Sequence, residues 1–116
     1  MSTRSNIGIL NQDGTVDYIY CHYDGYVSHN GKILSEHYSD EASVWALIAL
    51  GDMSALTETI DHSIFYGRDR GEGDTGARKC SYVDYTKERF EEYVYLFTPG
   101  EGWSYREDKI NDWKQI

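Results

Sequence analysis

Val16-Asp17-Tyr18-Ile19-Tyr20-Cys21-His22-Tyr23-Asp24-Gly25-Tyr26 is the stretch that decides the fold. Alternation across a strand places Ile19 and Cys21 on one face and Tyr18, Tyr20, His22 and Asp24 on the other. Asp24-Gly25 then ends the strand, because glycine permits a positive φ. The stretch therefore predicts a strand over 16–22 with an apolar back and a polar aromatic front, running into a sharp turn. Upstream, Asn6 to Leu10 forms a second alternating run with Ile7 and Ile9 on one face. The turn signal Asn11-Gln12-Asp13-Gly14 lies between the runs, which predicts a β-hairpin whose core face is Ile7, Ile9, Ile19 and Cys21.

Downstream, the spacing of Ile33, Leu34, His37 and Tyr38 predicts a helix capped by Ser28 or Asn30, with His37 on its inward face. A second helix is predicted after Ser39 or Asp40, with Asp40 and Glu41 at its positive end. Its apolar residues Val44, Trp45, Leu47, Ile48 and Leu50 make it the most buried helix, and Gly51 stops it. Asp52 to Ile60 suggests a further short helical turn. His62 to Gly67 reads as a strand, and Arg68 to Lys79 as a charged, glycine-rich loop suited to motion. Residues 81–92 are ambiguous: Val83 and Tyr85 suggest a strand, while Thr86 to Glu92 suggests two helical turns. Tyr93 to Thr98 is a strand, turned by Pro99 to Gly102 into another at Trp103 to Arg106. Ile110, Trp113 and Ile116 have helical spacing. The order β-β-α-α-β-(α)-β-β predicts one α+β domain over residues 1–116, an antiparallel sheet with two helices inserted and helices on one side.

The chain carries 20 acidic and 11 basic residues, a net charge of −9. That balance disfavours direct contact with a nucleic-acid backbone. No Lys or Arg occurs from Ile33 to Gly67, whereas Glu36, Asp40, Glu41, Asp52, Glu58 and Asp61 all do. Such a set suits insertion into a basic groove of a partner protein, with Asp84, Glu88, Glu91 and Glu92 adding to it. For any one carboxylate, a solvated surface is the simpler account. No long apolar run suggests a membrane span, and nothing reads as a signal peptide. With Cys21 and Cys80 outside any CxxC pair, a reducing cytoplasm and free thiols are expected rather than a Cys21–Cys80 disulfide.

Three further constellations carry chemistry. His22, Asp24 and His37 are of ligand type, and zinc is the ion they suit, although their spacing matches no compact zinc module. The plainer reading makes His37 a core histidine and Cys21 a small buried hydrophobe. Cys21 with His22 or His37 supplies the parts of a thiol enzyme. Adjacent strand residues point to opposite faces, however, and no GxSxG, HExxH or phosphate-binding loop is present, so no enzymatic activity is expected. Finally, Tyr20 with Arg68 and Arg70, aided by Arg78 or Lys79, could stack a base and hold phosphates.

Thr3 to Ile9 (TRSNIGI), Ile19 to Tyr26 (IYCHYDGY), Leu34 to Tyr38 (LSEHY) and Ala49 to Asp52 (ALGD) together resemble a family of small phage and prophage proteins. Members often carry IYCHWDGY, so Tyr23 stands where Trp is common, a difference expected to alter a contact and leave the fold. The resemblance covers most of the chain. It implies a phage origin and a link to type II anti-CRISPR proteins. On that basis a non-enzymatic inhibitor of a host defence nuclease is expected, with Cas9 as the partner and DNA loading as the step hindered. The alternative is a sponge that sequesters a cyclic-nucleotide defence signal.

Overall fold

A computed structural model describes residues 2–87, 91–107 and 112–116. The predicted hairpin is its centre. Strand β1 (Ser5–Leu10) pairs antiparallel with β2 (Thr15–Cys21), Ile7 opposite Ile19. A π-helical turn, Val27–Gly31, leads straight into α1 (Lys32–His37), and α2 follows at Glu41–Ala49. Then come β3 (Met53–Ala55), β4 (Ile64–Phe65), α3 (Tyr66–Arg70), β5 (Arg78–Ser81) and α4 (Tyr82–Lys87). The hairpin of β6 (Tyr93–Thr98) and β7 (Gly102–Glu107) and a short β8 (Lys114–Gln115) complete the sheet.

The α+β class and the two hairpins agree with the sequence reading, but the sheet is mixed. Its order is β4-β3-β2-β1-β6-β7-β8, with β5 also on β2. β1 runs parallel to β6, and Cys21 of β2 pairs parallel with Met53 of β3. Alternation reports which face a residue takes, not the direction of the neighbouring strand. Nor do the helices keep to one side. Ile7, Ile9, Ile19, Cys21, Tyr95, Phe97 and Trp103 form the larger core with Leu34, Tyr38, Val44, Leu47 and Ile48 of α1 and α2. On the other face, Val16, Val94 and Leu96 pack with Tyr85 of α4. β1 and β6 are therefore covered on both faces, as central strands are.

Local chemistry explains most departures from the predicted elements. Of the two predicted starts, after Ser39 or after Asp40, α2 takes the second: Asp40 caps it, its carboxylate accepting from Ser43 N at 2.9 Å. Neither Ser28 nor Asn30 caps α1: its N-terminal residue continues the π turn in helical geometry, and no side chain caps it. His37 is not inward; its side chain is 39% exposed while Leu34 and Tyr38 take the core positions. The stretch after Gly51 (φ +84) is not helical, since Met53 to Ala55 extends beside the end of β2. The strand predicted over 62–67 is only Ile64 and Phe65.

The glycine-rich segment is tied at both ends, by α3 and by β5, which pairs with Thr15 to Tyr18. In between, Thr75 O accepts from Asp52 N at 2.7 Å. Residues 82–87 are helical, with Ser81 Oγ accepting from Asp84 N at 3.1 Å, so this helix starts before Thr86 and Ser81 caps it. The tail ends as a strand on Ser104 and Tyr105, not as a helix. Trp113 packs on the second core and Ile116 is exposed. The readings that fall on Glu88 and Ile110 lie outside the described residues.

Candidate protein-interaction surface

The chain from His22 to Gly31 leaves the sheet as a loop fixed from beneath by buried polar groups. Asn30 is fully buried, and its amide donates toward Ser5 Oγ (3.4 Å), Cys21 Sγ (3.4 Å) and Tyr23 O (3.3 Å). Its Oδ1 accepts from the His29 ring at 3.0 Å. Tyr95, buried in β6, donates its hydroxyl to Gly25 O at 2.6 Å. Gly25 N donates to Thr3 O at 2.8 Å and Asn30 N to Asp24 O at 3.2 Å. The positive φ of the turn, +58°, falls on Asp24 rather than on Gly25. Gly25 is needed for space, because a Cβ there would lie 2.8 Å from Ser5 Cβ and 2.9 Å from Thr3 O.

This support holds aromatic side chains outward. Tyr23 is 48% exposed and Tyr26 38%. Tyr23 meets His22 edge-on with centroids 4.6 Å apart, and Tyr26 meets His29 at 6.1 Å. The Tyr26 hydroxyl donates to the Asp24 carboxylate at 3.2 Å. Beside Tyr26, a groove of about 370 Å³ is lined by His29, Lys32, Ile33, Glu36, His37 and Glu58 among others. His37 Nε2 lies 4.0 Å from Glu36 and 3.9 Å from Glu58 across it. The 57–62 turn is held to α1 by the Tyr38 hydroxyl, which donates to Thr57 O at 3.1 Å. Asp40 and Glu41, between Tyr38 and the body of α2, are exposed, as are Glu36 and Glu58 of the groove.

Two acids of the predicted set differ. Asp52 is 6% exposed and faces inward, where it accepts from Tyr20 N at 2.9 Å and forms a two-bond pair with Arg78 at 2.9 and 2.8 Å. It is a structural clasp between β2, β3 and β5 and is removed from the partner-facing set. Asp61 stays exposed but lies in the field of Arg68. Arg68 folds back onto this turn, donating to Ile60 O and Ser63 O and pairing with Asp69. A stretch free of basic residues in sequence is therefore not free of positive charge in space.

Among the described residues the predicted metal set is not assembled: no three His, Cys, Asp or Glu side chains are grouped so as to hold a metal ion. His22 shares a 2.6 Å hydrogen bond with the Tyr20 hydroxyl, Asp24 receives Tyr26, and His37 stands over the groove. These three candidate zinc ligands thus have separate roles. Of the candidate nucleotide-binding arginines, Arg68 lies over Phe65 and Arg70 over Tyr66, and both are exposed.

Burial pushes the Tyr20 hydroxyl up to about 12 and the Cys21 thiol up to about 11. A buried thiol with a raised pKa is the reverse of an activated nucleophile. Cys80 lies against the opposite face of the sheet from Cys21, and both are free. Among the described residues no helix is long and apolar enough to cross a membrane.

Comparison of the chain with known protein families, curated proteins and solved structures finds no match.

Sequence reasoning overlooked Tyr23, Tyr26 and His29 as surface residues, and Asn30 as their support. The signal was the density of aromatic and histidine side chains on both sides of Asp24-Gly25. Asn30 was hidden by the preference of Asn for helix caps, which competes with its use as a buried cross-link.

Proposed function

We propose that this protein is a non-enzymatic inhibitor of a host defence effector, and that it acts by binding that effector through the end where α1 meets α2. The reading is carried by one observation: Glu36 and Glu58 line one groove, with Lys32 as the one lysine among its lining residues, and Asp40 and Glu41 are exposed where α1 passes into α2. A carboxylate-rich surface on a protein of net charge −9 is complementary to a basic nucleic-acid channel. Occupying such a channel hinders DNA loading without any chemistry on the inhibitor. The sequence resemblance points to Cas9 as the partner to test first.

Native mass spectrometry of the protein mixed with guide-loaded Cas9 tests this directly. A stoichiometric complex is expected, weakening as salt screens the charges. Glu41→Lys with Glu58→Lys and Asp40→Asn should weaken it by about tenfold or more. Asn at position 40 removes charge while keeping a capping side chain. Unchanged affinity would overturn the electrostatic basis. Absence of a complex, with a co-purified molecule of nucleotide mass, would favour sequestration of a cyclic nucleotide instead.

A further inference from the structure

We infer that Tyr23 and Tyr26 are the anchor of this surface and that they receive an arginine side chain of the partner protein. The inference rests on the reading that this end binds a protein, and it specifies which residues dominate and what they recognise. Tyr23 and Tyr26 are the large apolar groups most exposed on the 22–31 loop. They flank Asp24, whose carboxylate accepts the Tyr26 hydroxyl at the surface. Tyrosine faces attract a guanidinium through the ring quadrupole, and a carboxylate takes its planar N–H fork. Both elements lie within one four-residue span. Lysine fits less well, because its ammonium is compact, strongly hydrated and has no planar fork.

The neighbouring groove indicates how a longer segment would lie. His29 joins the two regions: its ring contacts Tyr26 and it lines the groove with Glu36 and Glu58. A second basic residue of the same segment would meet those carboxylates. The buried bonds from Asn30, Tyr95 and Thr3 fix the loop before any partner arrives. Little ordering cost then falls on binding, and rigid aromatic residues are the usual centres of binding energy. The carboxylates around the groove form the rim and govern the rate of encounter.

The experiment uses the full chain labelled with ¹⁵N and titrated with a short arginine–glycine peptide, then with its lysine–glycine counterpart. Amide shifts are expected at Tyr23, Asp24, Tyr26 and His29, and the arginine peptide should bind about threefold tighter or better. Tyr23→Ala with Tyr26→Ala should reduce its affinity about tenfold. Tyr23→Phe with Tyr26→Phe should retain it, because the ring faces remain. Shifts confined to the groove carboxylates, with no arginine preference and no effect of the alanine pair, would overturn the inference.

The same variants against guide-loaded Cas9 separate the two readings. A Cas9 complex indifferent to the alanine pair removes the anchor and leaves the inhibitor function standing. Arginine-peptide binding at the loop without a Cas9 complex keeps the anchor and removes Cas9 as the partner.

Discussion

Asn30 shows how one side chain can set the shape of a surface it does not reach. Its amide is shared among Ser5 Oγ, Cys21 Sγ and Tyr23 O in a place without solvent. Asn30→Ala leaves the acceptors unsatisfied and opens a void, so a loss of roughly 1–3 kcal/mol is expected in urea unfolding. The amides of residues 23–26 should also gain hydrogen exchange, and unchanged exchange there would sink the role assigned to Asn30. Cys21, on the same network, should resist alkylation in the native protein while half-buried Cys80 reacts first. Reaction of both at one rate would mean that the loop opens as a unit. The alternation of 16–22 made the burial of Ile19 and Cys21 legible. Asp24's positive φ and Asn30's burial were not legible, because both depend on packing against Thr3, Ser5 and Tyr95, far away in sequence.

Among the elements, α4 and β5 taught most about what the sequence could disclose. The β1–β2 and β6–β7 hairpins were readable because alternation and turn residues are local. β5 (Arg-Lys-Cys-Ser) has no apolar alternation and gains its place by pairing with β2 and by the Arg78–Asp52 clasp. Strand direction in the β1–β6 and β2–β3 pairs is likewise a non-local property. Arg78 is partly solvated, which discounts the pair, whereas Asp52 is nearly enclosed. A double-mutant cycle with Asp52→Asn and Arg78→Gln should give a coupling of about 1–2 kcal/mol. A coupling near zero would demote the clasp to a surface contact. On the second face, Tyr85 fills the space above Gly8 and donates to Tyr95 O at 2.7 Å. Tyr85→Phe keeps the packing and loses that bond, for a cost of roughly 1–2 kcal/mol. Tyr85→Ala should cost roughly 3–5 kcal/mol and release α4 from the sheet, seen as exchange at 82–87.

For the molecule as a whole, the titrating groups that folding alters most clearly are acids whose neutral forms are buried. Burial raises the Cys21 thiol from 9.0 to about 11 and the Tyr20 hydroxyl from 10.0 to about 12, and it moves Tyr85 and Tyr95 further in the same direction. In each case the folded state holds its proton more tightly than the unfolded chain. The stabilisation linked to Cys21 is therefore fully present below pH 9.0 and is lost as pH rises through about 11. That linked to Tyr20 is present below pH 10.0 and is lost as pH rises through about 12. Urea midpoints should stay level up to the first of these values and then fall steadily. Tyr20→Phe should flatten the upper part of the fall, since Phe has no proton to lose, and Cys21→Ala should delay its onset. A fall beginning well below pH 9.0 would assign alkaline sensitivity to groups outside the two cores. The proposed interaction surface rests on a different set of groups, the exposed carboxylates of Glu36, Asp40, Glu41 and Glu58. Binding should accordingly weaken as salt is raised at neutral pH, well below the alkaline range in which Cys21 and Tyr20 lose their protons. That separation allows the partner complex to be titrated apart without unfolding the protein.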